Sequence, residues 1–389
     1  MPSLELHPVE TTRDLRRFVD VPWQLHAASP GTRWVPPLRV TVRDALDERR
    51  NPFYANAARR CWIARRGGRP VGRIAAIENR AHNAFHGDRT GFFGFFEVAD
   101  DGEAAAALLD AAQEWLAARG LAAMRGPVSP STNHECGVLV AGYEHHPVLL
   151  TAWNPPYYDA LLAACGMRGV KDLLGWHVPV GDPGFALPPR YAEQAEQARA
   201  IDRLTFRDVD LKNFAREVDA LWEVYNAAWE PNWGFVPMTR PEFEHLAREL
   251  KQLVDTRFAF AAEVDGRPAG FALGLFDYNV LFKRIRTGRL LPTGLFTLLL
   301  GARRLHTGRV MALGVREEYR TRRIFALFAH ELVRRARAAG VTGAEASWIL
   351  EDNHRMNRPL QSIGAVPYRR WRLYERPVAG GASTPPGAA

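Results

Sequence analysis

The residues best suited to chemistry fall into a few short clusters. In the stretch SWILEDNH and just before it, Glu345, Ser347, Ile349 and Glu351 alternate, so they share one face of a strand that ends beside Asn353 and His354. A carboxylate partly buried against Trp348 and an imidazole that titrates near neutrality are proton-transfer groups. Glu351 is the first choice of base, with His354 and Asn353 beside it. The alternative is that Glu351, Asp352 and Asn353 cap the helix beginning near His354. Arg320, Arg322 and Arg323 stand together at a helix start. Guanidinium groups placed there clamp phosphate, or else they form a solvated basic face. Asn133, His134 and Glu135 lie in a loop rich in small residues and either face a cleft or form only a turn. Tyr157 and Tyr158 follow Pro155 and Pro156 at a helix start. Their hydroxyls either donate to a leaving group or sit on rings packed in the core. No Ser-His-Asp arrangement is legible.

The chain that positions these groups has 389 residues, 47% hydrophobic and 24% charged, which is an ordinary globular composition. It is too long for one hydrophobic core, so two domains are expected. The formal charge is +8, and all basic residues but Lys171, Lys212, Lys251 and Lys283 are arginine. A basic excess suits a phosphorylated cofactor, an anionic lipid or nucleic acid. No helix-turn-helix, finger or RNA-recognition signature supports the last. Cys61, Cys136 and Cys165 offer neither an even disulfide framework nor the close pairing of a zinc site, so a reducing compartment and no metal are expected. Residues 1–17 carry charges throughout and no apolar run, which argues against a secretory signal and for a cytoplasmic location.

An internal repeat organises the rest. CWIARRGGRPVGRIAAIENR from Cys61 and FAFAAEVDGRPAGFALGLFDYN from Phe258 both read as strand, tight turn, strand. Gly68 and Gly266 mark the turns, an offset of 198 residues. Each hairpin is followed by strand, helix, strand, helix, strand. In the first copy these are 91–98, 103–119, 122–127, 156–164 and 170–180. In the second they are 310–315, 322–339, 344–350, 356–363 and 368–374. The expected organisation is a domain over 1–180, a linker over 181–200 containing a short helix, a second domain over 201–377 and a tail over 378–389. A meander leading into a βαβ segment belongs to the α+β class, with a mixed sheet in each domain.

The strand ending in LGV, Leu313 to Val315, followed by REEYRTRRIFALFAHEL, resembles the acyl-CoA-binding segment of the GNAT acyltransferase superfamily. In that motif, backbone amides at a helix start hold the CoA pyrophosphate. The resemblance implies acyl-CoA contacts from Gly314, Val315, Arg320, Arg322 and Arg323. It places Arg323 and Phe325 where the family carries small residues. The first copy has Asp100, Asp101 and Glu103 at the corresponding place, which repel phosphate, so a CoA site is expected only in the second. The phrases GPVSPSTNHECGVLVAGYEHHP, NPPYYDALLAACGM, GRLLPTG and EASWILEDNHRMNRPLQSIGA resemble the YghO-like tandem GNAT proteins, a group that includes bacterial ceramide synthase.

The resemblance implies an N-acyltransferase; for that chemistry the residues themselves offer Glu351, His354, Asn353 and Glu135 to handle protons and Asn133, Tyr157, Tyr158 and Trp348 to contact the acceptor. The acceptor it implies is a long-chain amine, a sphingoid base or its 3-oxo precursor. The rival readings are acetylation of a small polar amine and a non-catalytic acyl-CoA-binding or membrane-associated scaffold. Residues 281–309 have an apolar centre, Leu290 to Leu300, between basic flanks. That length is too short to span a bilayer and is interrupted by Pro292 and Gly294, leaving a peripheral contact at the inner membrane face or a buried insertion.

Overall fold

The computed structural model describes residues 2–26, 29 and 31–378. Nearly all of the expected tail lies outside the described residues. From the N-terminus the elements are β1 (Leu4–Pro8), α1 (Thr12–His26), α2 (Arg39–Ala45), β2 (Ala57–Arg66), β3 (Arg69–Asn79), α3 (Arg80–His86), β4 (Thr90–Val98), α4 (Gly102–Ala117), β5 (Ala123–Gly126), β6 (Val128–Ser129), β7 (Glu135–Cys136), β8 (Val138–Ala141), α5 (Tyr157–Ala164) and β9 (Arg168–Val178). The order continues with α6 (Pro189–Arg199), β10 (Leu204–Asp208), α7 (Phe214–Trp229), α8 (Arg240–Leu250), β11 (Ala259–Val264), β12 (Arg267–Phe276), α9 (Asn279–Phe282), α10 (Thr293–Gly301), β13 (Thr307–Val315), α11 (Ile324–Ala338), β14 (Gly343–Leu350), α12 (His354–Ser362) and β15 (Val366–Pro377). The repeat is present as expected, in an α+β fold with mixed sheets. Both hairpins close through a two-residue turn with both φ positive, Gly67-Gly68 and Asp265-Gly266. Turns of that hand match the twist of paired strands.

Two compact units result, and their boundaries are not the contiguous ones expected. Unit 1 takes residues up to Asp172, Phe282–Thr297 and those from Arg369; unit 2 takes Leu173–Leu281 and Leu298–Tyr368. In unit 1 the strands run β1-β2-β3-β4-β5, with β4 and β5 parallel, and β15 pairs antiparallel to β5 from Tyr374↔Gly126 to Pro377↔Ala123. In unit 2 they run β10-β11-β12-β13-β14, with β13 and β14 parallel, and β9 pairs antiparallel to β14. Each sheet is therefore completed by the strand that the sequence assigned to the other repeat. Alternation of apolar residues specifies which face a strand buries, not which edge it completes.

The expected linker contains the short helix expected in it. Its residues 189–199 form α6, which buries Tyr191, Ala195 and Ala198 and packs with Leu327 of α11 in unit 2. The core of unit 1 gathers around Phe93, Leu108, Tyr158 and Tyr374. In unit 2, α11 lies on one sheet face through Val315, Ile324 and Phe328. α7 lies on the other, where Gly314 faces Trp229.

Candidate functional site

The parallel pair of unit 2 parts company early. Pairing covers Thr307↔Gly343 to Val310↔Ala346, yet β13 continues to Val315 and β14 to Leu350. A bulge at Met311 bends β13 at that point, because Leu273 pairs Ala312 while Gly274 pairs Val310. Met311, Ala312 and Leu313 are consequently only half-buried on an interior strand. Arg316 N–H donates to Ala269 O at 2.9 Å. By the alternation of an antiparallel ladder, the Gly314 N–H also points to β12, while those of Leu313 and Val315 face the open side. Gly314 contributes space instead of a free amide: a Cβ there would lie 2.2 Å from the Trp229 ring.

Beyond β13 the chain makes a 3-10 turn over Glu317–Arg322 and enters α11 through Arg323. Arg323 has φ 58° and ψ 16°, the left-handed conformation that a glycine adopts readily. No side chain caps α11, and Leu327 is its first amide bonded back to a carbonyl, that of Arg323. The amides of Ile324, Phe325 and Ala326 are the donors that a helix start leaves available for an anion. Phe325 turns its ring into the cluster containing Phe328. Arg322 and Arg323 are exposed, and Arg320 pairs with Glu317 at 2.8 Å. Arg355 of α12, which sequence reading missed, reaches the same Glu317 at 4.0 Å. Replacing Arg320, Arg322 and Arg323 together by alanine is expected to weaken acyl-CoA binding more than tenfold, about 1.4 kcal/mol, with unchanged thermal unfolding. Calorimetric affinity equal to the parent's would return these side chains to a solvated face.

The counterpart in unit 1 is closed. The gap beyond Phe92↔Arg125 is filled by the chain's own segment: Phe95 N–H donates to Ser129 Oγ at 2.9 Å, and a Cβ on Gly94 would fall 1.4 Å from Val128 O. The start of α4 is capped by Asp101, which accepts from Ala104 N–H at 3.0 Å and pairs with Arg66 at 2.9 Å. Both features disfavour phosphate there.

The remaining sequence-predicted residues separate by unit. Asn133 and Glu135 lie in the β6–β7 hairpin of unit 1, where Asn133 N–H bonds Ser131 Oγ at 3.2 Å. Tyr157 OH donates to Val98 O at 2.9 Å, and Tyr158, 2% exposed, donates to Glu97 at 3.0 Å, so both rings serve the core. Glu97 also bonds His26 at 2.6 Å, a buried pair 71 residues apart that no local pattern announces. Burial pushes the Glu97 carboxyl up, but His26, Arg73 and Tyr158 outweigh it and hold it low.

In unit 2, Glu351 is exposed in the turn after β14, so the partial burial on which its role as base rested is absent. Asn353 is the cap of α12, accepting from Met356 N–H at 3.2 Å, and His354 is exposed. Trp348 is half-buried, with the Arg309 guanidinium 5.0 Å from its ring centre. The buried carboxylate of this strand is Glu345, at 2% exposure. It accepts from Ser347 Oγ and Tyr368 OH and stands opposite Arg309 in the β13–β14 register.

Comparison with known proteins agrees with this architecture. Residues 218–364 match the model of the acetyltransferase (GNAT) family. Protein YghO of Escherichia coli is 35% identical over 94% of this chain and 93% of its own. A bacterial ceramide synthase of Caulobacter vibrioides is 32% identical over 96% of this chain and 97% of its own. Among solved structures, a tandem GNAT protein from the clavulanic acid biosynthesis pathway superposes with TM-score 0.56 at 17% identity, covering 98% of this chain and 100% of that one. With the bulged, parted strands and the uncapped helix of unit 2, these likenesses identify the chain as a GNAT-type N-acyltransferase of the tandem-domain family to which YghO and bacterial ceramide synthase belong.

Proposed function

We propose that the protein transfers a long acyl chain from acyl-CoA to the amine of a lipid-like acceptor, a sphingoid base or its 3-oxo precursor, with unit 2 as the catalytic unit. The observation that carries this reading is the likeness to the Caulobacter ceramide synthase over almost the whole of both chains. Val315 and Leu313 amides receive the thioester and pantetheine arm, and the start of α11 with Arg320, Arg322, Arg323 and Arg355 receives the phosphates. The uncapped start of α11 after the left-handed Arg323 supports that placement, since a helix start leaves its first amides available to an anion.

A surface feature agrees with a lipid acceptor. No described helix is long and apolar enough to cross a membrane. Yet Leu291, Phe296, Leu299 and Leu300 are 68%, 63%, 65% and 75% exposed in and just before α10. Lys283, Arg284, Arg286 and Arg289 precede that patch and Arg303 and Arg304 follow it. Apolar side chains between basic flanks suit an anionic membrane surface, on which acceptor and enzyme would meet.

The test is amide formation followed by mass spectrometry, with acyl-CoAs of two to eighteen carbons against sphinganine, 3-oxosphinganine and polar amines. Long-chain amides of the sphingoid amines are expected. Their rate with acceptor in anionic vesicles should fall several-fold on joint Leu299→Glu and Leu300→Glu substitution. Turnover only of acetyl-CoA with a polar amine would end this reading.

A further inference from the structure

Glu351 is exposed, whereas a buried cluster beside the parted strands carries a second set of groups able to move a proton. Arg309, Glu345 and His177 are register partners across β13, β14 and β9, through Arg309↔Glu345 and Glu345↔His177. Side chains at paired positions stand on the same face. That face is the one turned away from α11, because the flanking Ala344 and Ala346 belong to the apolar cluster containing Leu332 and Ala336 of α11. Ser347, 4% exposed, is the first β14 residue beyond the paired stretch, so Glu345 and Ser347 lie at the root of the gap.

Around the Glu345 carboxylate, two hydroxyls donate, one to each oxygen: Ser347 Oγ to Oε1 and Tyr368 OH to Oε2. Arg309 donates from Nε and Nη2 to Ser347 O at 3.2 and 2.9 Å, which fixes the strand beside the carboxylate. Tyr368 is half-buried, unlike Glu345, and its ring lies 5.8 Å from that of the exposed His177. The phenol is thus the member of the cluster that links the buried carboxylate to the accessible face. A carboxylate is withdrawn from water at this cost only where partners hold it. A hydroxyl that hands it a proton can also return one.

We propose that Tyr368 exchanges the proton of the acceptor nitrogen during acyl transfer, and that Glu345 is the positioning group behind it that takes the phenol's own proton. When the amine nitrogen bonds to the thioester carbon, the resulting ammonium gives its proton to Tyr368 oxygen as Tyr368 passes its proton to Glu345 Oε2. The carbon–sulfur bond then breaks, and Glu345 returns the proton through the same hydroxyl to the departing CoA thiolate. Amine and thioester become amide and thiol, and the relay is restored. The inference rests on acyl transfer to an amine, not on which amine.

The experiment compares the parent with Tyr368→Phe, Glu345→Gln, Glu345→Asp and the Tyr368→Phe, Glu345→Gln double variant, using the acyl-CoA and amine that the parent turns over. Expected are kcat losses of about 10² to 10⁴ in each of the first two, KM for acyl-CoA within about threefold, and a double variant no worse than either single one. Glu345→Asp, which keeps a carboxylate, should recover part of the kcat that Glu345→Gln loses. Tyr368→Phe or Glu345→Gln acting within threefold of the parent, or single losses that multiply in the double variant, would overturn the relay. If Glu345→Gln does not fold, Tyr368→Phe, which removes one oxygen from a half-buried ring, decides alone. An active parent with an unaffected Tyr368→Phe removes only the relay, whereas a parent that acylates no amine removes the acyl-transfer reading with it.

Discussion

Gly94→Ala is expected to unfold unit 1 or leave it barely stable. The added Cβ would lie 1.4 Å from Val128 O and 2.5 Å from Val128 C, and both neighbours are main chain. A flexible side chain could swing away from such a contact, but this backbone is pinned. Val128 pairs with Cys136, Ser129 Oγ holds Phe95 N–H, and Gly137 N–H bonds Pro127 O at 2.9 Å. Overpacking that side chains can absorb costs about 1 to 3 kcal/mol. Here the β6–β7 segment must leave β4, so a loss of about 3 kcal/mol or more is expected, a large part of the ~5–15 kcal/mol that holds a domain. Gly102→Ala is the control, since its Cβ would meet nothing nearer than Leu161 Cδ2 at 4.0 Å at the first position of α4. Urea unfolding should show Gly102→Ala near the parent and Gly94→Ala far below it. Equal stability of the two would mean that the gap of unit 1 is open enough to admit a ligand.

What the sequence made legible was whatever local rules govern. The paired hairpins were readable because a two-residue turn with positive φ calls for glycine or aspartate at fixed spacing, as at Gly68 and Gly266. The acidic start of the first repeat's helix was readable from Asp101 and Glu103, and both pair with Arg66. Strand ownership was not readable, because β9 and β15 each satisfy the same alternation on either sheet. The different burial of Glu345 and Glu351 was not readable for a related reason. Alternation puts both on one face, but β14 ends at Leu350, so Glu351 falls in a solvent-exposed turn while Glu345 stays under Tyr368. The left-handed Arg323 was hidden by its residue type, since arginine gives no turn signal. His26 with Glu97, and Arg199 with Glu331, join positions whose distance along the chain no periodicity encodes.

That last pair carries the second large effect, a loss of about 3 kcal/mol from unit 2 on Glu331→Gln at neutral pH. Glu331 is 2% exposed on α11 and receives Arg199 of α6 at 2.5 Å, Arg334 at 2.8 Å and Arg335 at 2.9 Å. Burial alone would push its carboxyl up, but the hydrogen bonds from Arg334, Arg335 and Arg199 outweigh it and bring the pKa down from 4.5 to about 2. Each unit of such a shift corresponds to about 1.4 kcal/mol, which gives the expected magnitude. The sign follows from the depressed folded value. The contribution is complete above the unfolded pKa near 4.5 and is lost as pH falls toward about 2. Glutamine keeps an acceptor oxygen for one arginine but no charge for three, so the α6–α11 seam loosens while the apolar contacts of Ala195, Ala198 and Leu327 remain. Urea unfolding of parent and Glu331→Gln across pH should therefore show a constant gap between about pH 6 and 8 that closes on acidification. A gap independent of pH would assign the loss to shape instead of charge. Because α11 begins at the Arg323 turn, a loosened seam should also weaken acyl-CoA binding at pH 7, and restoring charge with Glu331→Asp should recover less than half of it, since the shorter side chain reaches fewer of the three arginines.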